Sequence, residues 1–125
     1  MRPELPPDLR RFILTSVPSV PYLEAVLLLR AEPQREWTVG DAARRLYLPE
    51  PRANELLSEL AASGVAANAG AGYRYAPATE ELALILERLA SHYAIDLVGV
   101  TDLIHSRIDK KAQQFADAFR FRKDT

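Results

Sequence analysis

The stretch that decides the fold is TVGDAARRLYLP (residues 38–49), continued by EPRANELLSELAASG (residues 50–64) and VAANAGAGYRY (residues 65–75). Thr38 followed three residues later by Asp41 has the form of a capping box, with Asp where Glu or Gln is usual, so a helix starts near Val39 or Gly40. It can run only to about Leu46, because the residue before Pro49 is biased away from helical backbone angles. In the next segment Ala53, Leu56, Leu57, Leu60 and Ala61 fall on one helical face, and Gly64 suits the left-handed position that ends a helix. The period then changes. Residues 65–68 and 73–75 flank Ala69-Gly70-Ala71-Gly72, which predicts a β-hairpin around a loop whose glycines can take positive φ.

Working outward, a helix from about Pro21 to Ala31 puts Tyr22, Ala25, Val26 and Leu29 on one face, and Pro33 closes the loop after it. Trp37 reads as a large apolar residue of a short edge strand that pairs with the hairpin and joins the core. The ordered set TVGDAARRLYL, ANELLSELAASGV and GYRYAP resembles the winged-helix superfamily of bacterial transcription regulators, in the style of MarR-like and IclR-like DNA-binding domains. The resemblance covers residues 20–76, a little under half of the chain. It implies a mainly α fold of α+β winged-helix type, a three-helix helix-turn-helix core with a two-stranded β-wing, to which the residues after Pro77 add a long C-terminal helix. It also implies that the second helix of the pair enters the DNA major groove and that the protein dimerises. Carried over by position, it puts Pro49, Glu50, Arg52, Ala53, Asn54 and Ser58 on the groove side, Arg44 and Arg45 on the preceding helix, and Arg74 on the wing. The expected division is an arm over residues 1–19, the winged helix over 20–77, and a long helix with a basic tail over 78–125.

The arm holds Pro3, Pro6, Pro7 and Pro18, leaving room for one short helix from Asp8 to Leu14, with Phe12, Ile13 and Leu14 as docking residues. After Pro77 there is no proline, and Thr79 with Glu80 and Glu81 makes a good helix start. Leu82, Leu86, Leu89, Tyr93, Leu97, Val100, Ile104 and Ile108 then recur at spacings of three and four, which predicts one long helix. A break over residues 96–100 is the competing reading, because Ile95, Val98 and Val100 favour strand and Gly99 weakens a helix interior by about 1 kcal/mol. Leu84, Ile85, Ile95, Val98 and Leu103 lie off the stripe, so the element carries more apolar surface than one small domain covers. That excess predicts a homodimer packed through Leu86, Leu89, Tyr93, Leu97, Val100 and Ile104, holding two reading heads about 34 Å apart. Ala112, Phe115, Ala116 and Phe119 form a further short amphipathic face.

The chain has 125 residues, 48% hydrophobic and 26% charged, with a net charge of −1, as expected of one globular domain. Residues 105–125 carry six basic and three acidic side chains, a net of +3 that leaves −4 for the rest. With no cysteine there is no disulfide framework, thiol nucleophile or thiolate zinc site. No apolar run approaches the roughly 20 residues that span a bilayer, and the amino terminus lacks a signal-sequence core, so a cytoplasmic location is expected.

The residues that carry chemistry are few. Phosphate neutralisation needs Arg or Lys at the groove, yet residues 49–63 offer Arg52 against Glu50, Glu55 and Glu59. Arg52 suits guanine, Asn54 suits adenine, and Arg44, Arg45 and Arg74 suit the backbone. The same acidic helix supports a second reading, a winged helix that binds a protein partner instead of DNA. His92 with Asp96 and Asp102 with His105 have the spacing of helix-borne ligand pairs, but no third ligand accompanies either, and ordinary surface hydrogen bonds explain them. Gly70-Ala71-Gly72 precedes a strand and not a helix, so it is turn chemistry and not a phosphate loop. No metal, cofactor or catalytic residue is expected.

Overall fold

The structure, a computed structural model, describes residues 4–123, without the side chains of Asp109, Lys111 and residues 119–123. The charges expected at Lys111, Arg120, Arg122, Lys123 and Asp124, and the apolar face at Phe119, lie outside the described residues. The chain is mainly helical with one small antiparallel sheet. Its elements are α1 (Pro7–Ser16), α2 (Val20–Ala31), α3 (Val39–Leu46), α4 (Glu50–Ala62), β1 (Ala66–Ala69), β2 (Gly72–Tyr75), α5 (Glu80–Ile95) and α6 (Leu97–Lys123).

Side-chain caps set most of the helix starts. Ser19 Oγ accepts from Tyr22 N at 3.2 Å, Thr38 Oγ1 from Asp41 N at 3.1 Å, and Thr79 Oγ1 from Leu82 N at 3.1 Å. Each satisfies an amide that the helix leaves orphaned, worth about 1 kcal/mol. The hairpin pairs Ala66 with Tyr75 and Ala69 with Gly72, so its turn is two residues, Gly70-Ala71, where four were expected. Trp37 adds a single antiparallel bridge to β2, donating from N to Tyr73 O at 2.7 Å and accepting from Tyr73 N at 2.9 Å. A Cβ at Gly72 would lie 2.0 Å from the Trp37 carbonyl oxygen, so this glycine is required by space.

All six helices among the described residues feed one core. Leu9, Ile13 and Val17 of the α1 region, Leu23 and Leu29 of α2, Ala42 of α3, Leu56 and Leu60 of α4, Leu86 and Leu89 of α5, and Val100 and Ile104 of α6 are buried in a single cluster with Trp37. Each large side chain contributes about 1.5–3 kcal/mol by leaving water. The first 19 residues are therefore no arm. α1 packs against α5 and α6, Asp8 pairs with Arg88 at 2.6 Å, and the Arg107 guanidinium donates to the Val17 carbonyl at 3.0 Å.

The single long helix expected after Thr79 is two helices, broken at Asp96. The Asp96 carboxylate accepts from Gly99 N at 3.1 Å and so caps α6, while its backbone takes φ −146°. A Cβ at Gly99 would lie 2.2 Å from that carboxylate. Gly99 is therefore not a weak point inside a helix; its missing Cβ makes room for the cap of the next one.

The break redirects the apolar stripe. Leu86, Leu89, Tyr93, Val100 and Ile104 are buried in the chain's own core, and the Tyr93 hydroxyl donates to Glu24 at 2.8 Å. The expected dimer face is thus intramolecular, with Leu97, at 54% exposure, as the exception. Among the described residues of α5 and α6, the exposed large apolar side chains are instead Leu84, Ile95, Leu97, Val98, Ile108 and Phe115. Among the described residues no single helix is long and apolar enough to cross a membrane.

Candidate nucleic-acid interface

The candidate site is built on α3, α4 and the hairpin. α3 stops with Tyr47 N donating to Arg44 O at 3.4 Å and Leu48 N donating to Ala43 O at 3.0 Å. That pair of bonds demands a left-handed residue at the corner, and Tyr47 supplies it with φ 57° and ψ 44°. It is the only non-glycine residue with positive φ among the described residues. A residue with a Cβ pays about 1–2 kcal/mol for this conformation. Tyr47 is 94% exposed, so packing does not offset that cost. Leu48 turns inward, and Pro49 leads into α4.

On α4, Ala53, Leu56, Leu57 and Leu60 face the core. Ala53 is thus not on the groove side: its spacing of three and four from Leu56 and Leu57 places it with the buried set. The opposite face exposes Glu50, Asn54, Glu55, Ser58 and Glu59. Arg52, partly buried, pairs with Glu55 at 3.1 Å. Ser58 Oγ lies 3.5 Å from the Tyr73 hydroxyl, which brings this face of α4 up to the hairpin.

On α3, Arg44 is exposed and pairs with Asp41. Arg44 Nη1 and Glu50 Oε1 also approach a common point above Gly40, within 3.8 and 3.3 Å of where its Cβ would be. Arg45 is exposed, with its guanidinium 5.5 Å from the centre of the Trp37 ring; Arg35 lies closer, at 3.8 Å. Arg74 is exposed on β2 opposite Ala67. Among the described residues neither Arg45 nor Arg74 forms an ion pair. The surface therefore carries Arg44, Arg45, Arg52 and Arg74 against Asp41, Glu50, Glu55 and Glu59, a balanced mosaic.

The residue that sequence reasoning missed is Tyr47, read there only as part of the turn before Pro49. The available signal was an aromatic residue directly after a helix end, where glycine or asparagine is usual.

The histidine pairs lie elsewhere. His92 is buried beside the break, its Nε2 4.0 Å from Asp96 Oδ2, and that carboxylate serves as a helix cap. Asp102 and His105 are exposed on α6. Among the described residues there is no group of three or more His, Asp or Glu side chains placed to hold a metal. Away from the site, Arg88 holds the Asp8 carboxyl down to about 2 through its hydrogen bond, and Arg30 lowers Glu87 in the same way.

No protein-family model, curated protein or solved structure matches the chain.

Proposed function

We propose that the chain is a winged-helix DNA-binding protein, a cytoplasmic transcription regulator of bacterial type that binds duplex DNA as a dimer. The observation that carries the reading is the order α3, three-residue turn, α4 and hairpin, with the polar face of α4 uncovered and arginines on both flanks. A helix of 13 residues is about 20 Å long and 10–12 Å wide, which suits a major groove about 12 Å across. Arg52 and Asn54 would read guanine and adenine, Ser58 would add a hydroxyl contact, and Arg44, Arg45 and Arg74 would hold phosphates. The Arg44–Asp41 and Arg52–Glu55 pairs do not block this. Exposed pairs three residues apart are worth about 0.3–0.5 kcal/mol, so a phosphate or base edge can displace them.

Dimerisation would use the exposed part of α6. From Ile108 onward every described side chain of α6 is exposed, including Phe115 at 73%, and Ile108, Ala112 and Phe115 follow the spacing of a helix seam.

The test is fluorescence anisotropy of a random-sequence duplex at about 50 and 200 mM salt, with sedimentation equilibrium on the same protein. Three phosphate-bound arginines predict an affinity loss of about 40-fold over that range. Combined Arg44→Ala and Arg52→Ala changes should weaken binding about tenfold or more, and the mass should be twice the chain's 14.0 kDa. A second reading is favoured by the carboxylates that match Arg44 and Arg52 and by the further Glu50 and Glu59, a surface suited to a protein partner. Absence of duplex binding at tens of micromolar protein would leave that reading in place.

A further inference from the structure

Tyr47 is poorly explained by the needs of the fold. Its corner needs a left-handed residue, which glycine provides without strain, and the ring buries almost nothing. Its backbone is nevertheless firmly held. The amides of Tyr47 and Leu48 are tied to the end of α3, Leu48 packs on the core, and Pro49 fixes the next φ. The result is a rigid platform presenting a phenol to solvent three residues after Arg44 and three residues before α4 begins. A tyrosine ordered by only two side-chain torsions gives a contact at small entropic cost.

We propose that Tyr47 is a DNA-contact residue, its hydroxyl donating a hydrogen bond to a backbone phosphate and its ring lying against the adjoining sugar. It thereby fixes the register in which α4 enters the groove. This inference rests on the DNA-binding reading and adds to it a neutral contact that supplies position without counter-ion release.

The test compares wild type, Tyr47→Gly and Tyr47→Phe by thermal unfolding and by anisotropy on one random-sequence duplex. Tyr47→Gly should raise Tm by about 3–5 °C, because strain is relieved and no packing is lost, while binding weakens about tenfold. Tyr47→Phe should leave Tm within about 1 °C and weaken binding about three- to fivefold, the share of the hydroxyl. The salt dependence should be unchanged in both, since no charge is removed. Wild-type binding together with an equally tight Tyr47→Gly variant would overturn the contact and leave the DNA reading standing. A lowered Tm for Tyr47→Gly would also overturn it, by showing that the ring serves the fold. Lack of duplex binding by the wild type would remove both proposals and favour a protein partner.

Discussion

The helices α3 and α4 stop with the same two backbone hydrogen bonds, one set around Tyr47 and the other around Gly64. At Gly64 the amide donates to Ala61 O at 3.2 Å and the next amide, Val65 N, donates to Leu60 O at 2.9 Å, repeating the pattern at Tyr47 and Leu48 residue for residue. Gly64 has φ 78°, and its carbonyl accepts from Ala78 N at 2.8 Å, so the chain crosses itself there. A Cβ would sit 3.3 Å from that of Ala78. One corner is enclosed and filled by the residue that local energetics prefers. The other is open to water and filled by one that they disfavour. Because the backbone is the same, the difference must come from demands outside the corner: at Gly64 the packed hairpin entry, and at Tyr47 the surface that leads into α4.

The largest effect is expected at another glycine, Gly72. Gly72→Ala places a methyl group against the backbone of Trp37, and the expected cost is about 2–4 kcal/mol, read as a lowered urea midpoint. A change below about 1 kcal/mol would mean that Trp37 yields. Next comes Gly64→Ala against Tyr47→Ala. The first adds left-handed strain and crowding and should cost about 1–2 kcal/mol. The second exchanges one strained residue for another and should lie within about 0.5 kcal/mol of wild type. Equal losses at both would erase the distinction between an enclosed and an open corner.

The smallest effect concerns how the elements are anchored. Asp8 is exposed, and its folded-state value of about 2 lies below the ordinary 3.8. The stability that its pair with Arg88 contributes is therefore complete above about pH 4 and is lost as pH falls toward 2. Tyr47 and Gly64 carry no titrating group of this kind on the acid side. Urea midpoints of wild type and Asp8→Asn should thus differ slightly at pH 7 and converge by about pH 2; a gap that persists in acid would show that the carboxylate's charge does not act there.

What the sequence made legible tracks how local the cause is. The Thr38 cap, the stop before Pro49, the Gly64 corner and the pairing of Trp37 with the hairpin all depend on neighbours within a few positions or on one adjacent strand. The break at Asp96 was legible only as the competing reading, because Tyr93, Leu97 and Val100 keep their spacing of three and four straight through it. Its signal was Asp96 three residues before Gly99, a cap with cleared space, which reads as an ordinary surface residue and a poor helix former. Docking of Phe12, Ile13 and Leu14 was legible, but its destination was not: α1 packs on α5 and α6, far along the chain. In the candidate site the arginines were legible, as were the carboxylates that accompany them. The positive φ of Tyr47 was not, since the same letters also fit a looser turn.

The contact between α1 and the two last helices also has a consequence in time. Asp8 and Arg88 are separated by 80 positions, and Val17 and Arg107 by 90. At a synthesis rate of about 5–20 residues per second, the binding site for α1 exists only several seconds after α1 itself has been made. During that interval Leu9, Ile13 and Val17 have no α5 or α6 to cover them. A nascent chain stalled before residue 80 thus carries the apolar face of α1 without the α5 and α6 surfaces that cover it in the finished fold.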